Sequence, residues 1–321
     1  MMQRVFTVLA TALALALPTI PTGAKAQSGD NLAIAGHINS LWNHALHSTS
    51  KRTSVSSWLN TMQAATGRRY SERMEFGFFN SFETPPAASS TWNVNGDGSG
   101  IAFLGESGWL KIQYGFNGTG RGGDVVFSSD NFDMGVSSPP KMGLRPGDSG
   151  NLTPPGQSYV DAASDLIAGY ETNIAAPKRY WVFSGLPGFD EYAFGKWPSG
   201  SNVGAWKTHV RGDWSDWQKE FTGGLQAANP GYEIGLINAA EIFVDTWENV
   251  LPGMTHTDWF EDLSPHGHPD AYAVLAAIVY STLLQTEAPD ISRILQRASV
   301  NPQVVQNWGK VTEYINRAVN D

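Results

Sequence analysis

Residues 32–46, "LAIAGHINSLWNHAL", open on a short apolar run and break at Gly36 into a polar turn. Taken with Asn31, the run "NLAIAG" (31–36) has the length and composition of a strand buried on both faces. "SSWLNTMQAATG" (56–67) then carries apolar residues at helical spacing and closes on Gly67, a glycine stop. A buried strand followed by a helix is the first half of a βαβ unit.

The same rhythm recurs downstream. "GWLKIQYG" (108–115), "DVVFS" (124–128), "YWVFS" (180–184) and "EIGLI" (233–237) are further apolar runs. Helical patterns stand before the last two, in "SYVDAASDLIAGYETNI" (158–174) and "DWSDWQKEFTGGLQAANPG" (213–231). The chain ends in two more, "PDAYAVLAAIVYSTLLQ" (269–285) and "NPQVVQNWGKVTEYINRAV" (301–319). Strands alternating with helices predict an α/β fold: one three-layer α/β/α domain around a five-stranded, mostly parallel sheet, with C-terminal helices packed onto it. Two segments break the rhythm, 76–101 and 133–156, both rich in Pro, Ser, Asn and Gly; they are expected to be long loops.

The first residues are expected to lie outside this domain. "MMQR" is a short positive start, "VFTVLATALALAL" is an apolar core too short to span a bilayer, and "PTIPTGAKA" ends in an Ala-x-Ala pattern. This predicts a signal peptide over 1–26, cleaved after Ala26, and an exported domain over 27–321, in the periplasm or outside the cell. Cleavage removes Arg4 and Lys25 and deepens the formal net charge of −9 by two. An acidic chain without a basic cluster argues against nucleic acid and anionic membranes as partners. The absence of cysteine from the sequence excludes disulfides, thiolate metal sites and cysteine nucleophiles.

Within the second loop, "GDSGN" (147–151) raises Ser149 as a nucleophile, since serine hydrolases carry similar strings. Pro146, Pro154 and Pro155 flank it, no apolar run leads into it, and Asp and Ser beside Gly are ordinary turn residues. Ser149 is assigned to a turn. A nucleophile belongs at the end of the first strand.

There, "AGHINSLW" resembles the first block of the SGNH hydrolases, the superfamily that includes the GDSL esterases. Some members carry Gly-His-Ser-Leu at that block. Here Ile38 and Asn39 stand between Gly36-His37 and Ser40-Leu41, so Ser40 is the nucleophile if the insertion is allowed; without a gap Ile38 takes the position. The second block is similar to "IQYGFNGTG" (112–120), with Gly118, or alternatively Gly120, as a backbone donor. The third resembles "DVVFSSDNFD" (124–133), with Asn131 supplying a side-chain N–H and Ser129 where a glycine is usual. The last resembles "DLSPHGHPDAYAVLAAIVY" (262–280), with His266 as the base. Asp262, its orienting acid, stands four residues before it rather than three, and Ala271 replaces a glycine.

The resemblance implies an esterase working through Ser40, His266 and Asp262, with Gly118 and Asn131 in the oxyanion hole and no metal or organic cofactor. Histidine suits proton transfer at neutral pH, and a carboxylate beside it fixes the tautomer. Each member also has a bland role: Ser40 as a helix cap, Gly118 as a turn residue, Asn131 as a loop amide, His266 as a structural histidine. Exported members of the family often deacylate polysaccharides. With twelve Trp, ten Tyr and fifteen Phe, this suggests a carbohydrate ester, with His37 and Trp197 of the "YAFGKWPSG" loop (192–200) as substrate contacts.

Three other readings compete. His266, His268, Asp262 and Asp270, with His256 and Asp258 upstream, have metal-ligand chemistry but no evident fixed third histidine. Asp190, Glu191, Glu241 and Glu248 offer carboxylates for a glycosidase, although "AAEIFVDTWENV" (239–250) has the pattern of an amphipathic helix. A glycan-binding protein on the same fold, its nucleophile lost, is the third.

Overall fold

The computed structural model describes residues 32–38, 54–76, 124–128, 179–189, 194–263 and 266–321, with residue 192 and several between 160 and 168. Its center is a parallel sheet of β1 (Leu32–Ile38), β2 (Tyr70–Phe76), β3 (Asp124–Ser128), β4 (Arg179–Phe183) and β5 (Ile234–Ile237). The strands lie in the order β2-β1-β3-β4-β5. Four of the apolar runs are therefore strands. The run at 108–115 falls outside the described residues, and β2 corrects the sequence reading, which had no strand there.

Alternate residues of β3 and β4 are buried on opposite faces. Val126, Trp181 and Phe183 join the main core. Val125, Phe127, Tyr180 and Val182 are equally buried and, by the two-residue period of a strand, face the other way. That is why these runs are continuously apolar. At Gly235, opposite Trp181 in the β4–β5 register, a Cβ would collide with the indole ring, so only glycine lets Trp181 lie flat across the strand.

Helix α1 (Val55–Ala65) follows Ser54, whose hydroxyl accepts the Ser57 N–H at 3.0 Å, and ends before Gly67 at φ +71°. After β4 come α2 (Val203–His209), a π-turn at Val210–Trp214, and α3 (Ser215–Ala228), which leads into β5. Beyond β5 lie α4 (Ala239–Val250), the single-turn α5 (His256–Trp259), α6 (Pro269–Leu284), α7 (Ser292–Arg297) and α8 (Pro302–Asn320). Every residue of α6 after Pro269 is buried, so it is a central helix without a solvent face. It packs against α1, α4 and α8.

The direction of α6 is fixed by one buried side chain. Arg179, at the start of β4, makes a two-pronged ion pair with Asp124 at the start of β3, at 2.9 and 3.0 Å. Its Nη2 also donates to the Leu283 carbonyl at the end of α6, at 2.7 Å. The C-terminus of α6 thus lies at the amino end of the sheet. The helix runs antiparallel to the strands, and its sixteen residues span about 24 Å. Its N-terminus therefore lies at the carboxyl end, where open α/β sheets place their sites.

Candidate active site

The residues just before α6 form a small closed loop. Thr255 and Asp258 cap α5: the Asp258 carboxylate accepts from the Thr255 N–H and hydroxyl, each at 2.7 Å. Trp259 and Phe260 are buried and pin the start of the loop to the core. Phe260 and Gly267 then form an isolated antiparallel bridge. Glu261 N–H donates to the His266 carbonyl and His268 N–H to the Trp259 carbonyl, both at 2.8 Å. Phe189, in the segment after β4, donates its N–H to the Leu263 carbonyl at 2.8 Å and ties the loop to the carboxyl end of the sheet.

This closure brings Asp262 against His266. The imidazole Nδ1 lies 2.6 Å from Asp262 Oδ2, and the His266 N–H donates to Oδ1 at 3.2 Å. One carboxylate therefore holds both the ring and the backbone of the histidine. The His266 side chain is 17% exposed and that of Asp262 47%. With an acid as its partner, Nδ1 carries the hydrogen, so proton transfer by this ring runs through Nε2.

Ser40, Gly118, Asn131 and Ser149 lie outside the described residues. In sequence, Ser40 stands two residues beyond the end of β1 and Asn131 three beyond the end of β3, and these two strands are neighbors. His37 is the second-last residue of β1, in register with Phe127 of β3, and Ile38 is the last.

Trp197, a candidate substrate contact, packs against neighboring rings. It is partly buried, its ring 5.2 Å from Phe189 and 5.0 Å, edge-on, from His256. It anchors its loop, which Asn202 N–H to Tyr192 carbonyl (2.5 Å) and Phe194 N–H to Gly200 carbonyl (2.8 Å) close at the base. The exposed aromatic of that loop is Phe194, at 69%.

The alternative ligand and carboxylate sets have other partners. His268 faces Glu261 at 3.6 Å, Asp270 accepts the Asn301 N–H at 2.6 Å, and Asp258 caps α5. Among the described residues, no group of three or more His, Asp or Glu is arranged to hold a metal ion. Asp190 and Glu191 lie outside the described residues. Glu248 is bound by Arg211 at 2.6 Å and Lys207 at 3.4 Å, and the Arg211 hydrogen bond leads in holding its carboxyl below the ordinary value. Burial works to raise Glu241, but hydrogen bonds from Ser215, Asn238 and Lys219 outweigh it and hold that carboxyl low as well. A glycosidase needs one carboxyl raised to act as an acid; neither glutamate supplies it.

The cluster in which Ser215, at the start of α3, and Asn238, at the start of α4, both bond the Glu241 carboxylate had no motif to reveal it in the sequence. Gly267 and Tyr272 at the foot of the loop were likewise unmarked.

No family model matches the chain, and searches of curated proteins and of solved structures find no match. Function is therefore argued from the residues themselves. Among the described residues, no helix is long and apolar enough to cross a membrane.

Proposed function

We propose that the chain is an exported serine ester hydrolase of the SGNH type, with a three-layer α/β/α domain and a carbohydrate ester as substrate. The observation that carries the reading is the 2.6 Å Asp262–His266 contact at the carboxyl end of a parallel sheet. A histidine with Nδ1 engaged by a carboxylate is the arrangement that general-base catalysis on a hydroxyl requires. The position of Ser40 just past β1, beside the strand that leads to Asn131, supports the assignment of nucleophile and oxyanion donor.

In this mechanism Ser40 Oγ attacks the ester carbonyl while His266 Nε2 takes its proton. Asp262 stabilizes the imidazolium that forms. The Gly118 N–H and the Asn131 amide receive the oxyanion, and losing one such donor costs about 3 kcal/mol of barrier. His266 then protonates the departing alkoxide, and the acyl group stays on Ser40. A water molecule, deprotonated by the same histidine, releases the acid and restores the serine.

Hydrolysis of p-nitrophenyl acetate by the mature chain tests this reading. Turnover that is lost in Ser40→Ala and His266→Ala and kept in Ser149→Ala is the expected result. Turnover lost only in Ser149→Ala overturns the placement of the nucleophile. No turnover on acetylated glycans either, with retained glycan binding, favors a binding protein without a nucleophile.

A further inference from the structure

We propose that Gly267 and Tyr272 are positioning residues that set the angle of the His266 ring through the backbone at 266–267. The proposal rests on the esterase reading for its consequence in catalysis, but the geometry it describes is measurable without turnover.

Gly267 is the residue on which the loop lands. A Cβ built there would meet Ala271 Cβ at 3.0 Å and Tyr272 Cε2 and Cδ2 at 3.1 and 3.4 Å. The glycine backbone is thus seated closely on the first turn of α6, where a side chain fits only if something gives by a few tenths of an ångström. Tyr272 completes the seat, its hydroxyl accepting the Gly267 N–H at 3.4 Å. Burial pushes the tyrosine pKa upward, and the nearby Glu261 and Asp262 carboxylates add to the shift, so the hydroxyl keeps its proton.

The seat matters because His266 is held at two points by one carboxylate. Asp262 grips its N–H at 3.2 Å and its Nδ1 at 2.6 Å, while the His266 carbonyl accepts from Glu261 at 2.8 Å. A shift of a few tenths of an ångström at position 267 moves the His266 backbone relative to Asp262 and rotates the ring away from its acid. Ala271 and Tyr272 are buried in the first turn of α6, which resists such a shift, so it falls on position 267 and on His266 beside it. Small displacements of a catalytic group are costly: about 1 Å costs about 100-fold in rate.

The test uses the mature chain with Gly267→Ala, Tyr272→Phe and the double variant Gly267→Ala/Ala271→Gly, which removes the closest colliding atom. Steady-state p-nitrophenyl acetate kinetics and the downfield imidazole Nδ1–H proton resonance of His266 are recorded for each. Gly267→Ala is expected to lower kcat by about tenfold with KM unchanged and to shift or broaden the resonance. Tyr272→Phe should give a smaller change of the same kind, and the double variant should recover both signals. Unchanged kcat and resonance in Gly267→Ala overturn the proposal, as does a double variant no better than the single one. If the wild-type chain turns over neither p-nitrophenyl acetate nor acetylated glycans, the esterase reading falls, and the resonance alone decides whether Gly267 positions the ring.

Discussion

The two ends of the sheet each carry a carboxylate paired with a basic side chain, and the pairs differ in what surrounds them. At the amino end, Asp124 and Arg179 are buried, joined by two hydrogen bonds and sealed by the α6 carbonyl of Leu283. At the carboxyl end, Asp262 and His266 share one short contact, and Asp262 is half exposed. The first pair joins its carboxylate to a forked guanidinium; the second joins its carboxylate to an imidazole. Under the proposed function, similar electrostatics serve as a fastener at one end and as reactive chemistry at the other. The same helix, α6, joins them.

The largest separation between the ends should come from His266→Ala. Ester turnover is expected to fall by about 10⁴-fold while thermal stability stays within about 1 kcal/mol, read by kinetics and melting on the same preparation. Arg179→Met should do the reverse. Leaving Asp124 buried and unpaired costs about 3–5 kcal/mol of stability in denaturant titration, and adding Asp124→Leu should recover most of it, with turnover per folded molecule unchanged.

Asp262→Asn is expected to cost on the order of 10³–10⁴-fold in kcat, with KM and stability little altered, because it favors the wrong tautomer and removes the charge that stabilizes the imidazolium. A stability change above that of Arg179→Met would contradict the division between the ends.

The smallest effect concerns Asp270 in the first turn of α6. Burial raises its pKa, and the Asn301 N–H and His268 counter this without cancelling it. A carboxyl raised on folding adds most stability where it is protonated in both states, below the ordinary aspartate range. That contribution is lost as pH rises through its folded value. Near neutral pH, Asp270→Asn keeps an acceptor for the Asn301 N–H and should equal or exceed the wild type in stability. Asp270→Ala leaves that N–H unpaired and should lose about 1–3 kcal/mol, and melting curves across the acid range check both.

The sequence was most legible where burial is two-sided. β3 and β4 carry unbroken apolar runs because both faces are covered, and α6 is apolar at all but a few positions because it has no wet side. β2 was hidden by its composition: "YSERMEF" carries Glu72, Arg73 and Glu75, and among the described residues it lies at the edge of the sheet, paired with β1. Asp262 and His266 were recognizable by residue type and order, although one residue further apart than the family pattern. The spacing works because the Phe260–Gly267 bridge folds the chain back on itself, a contact of two residues that leaves no periodic trace.

Covalent labelling of the mature chain with a fluorophosphonate, followed by peptide mapping, tests the serine hydrolase assignment most directly. The account predicts a single phosphonylated serine, Ser40, and labelling that is strongly slowed in His266→Ala. An adduct on Ser149, or equal labelling with and without His266, would contradict it.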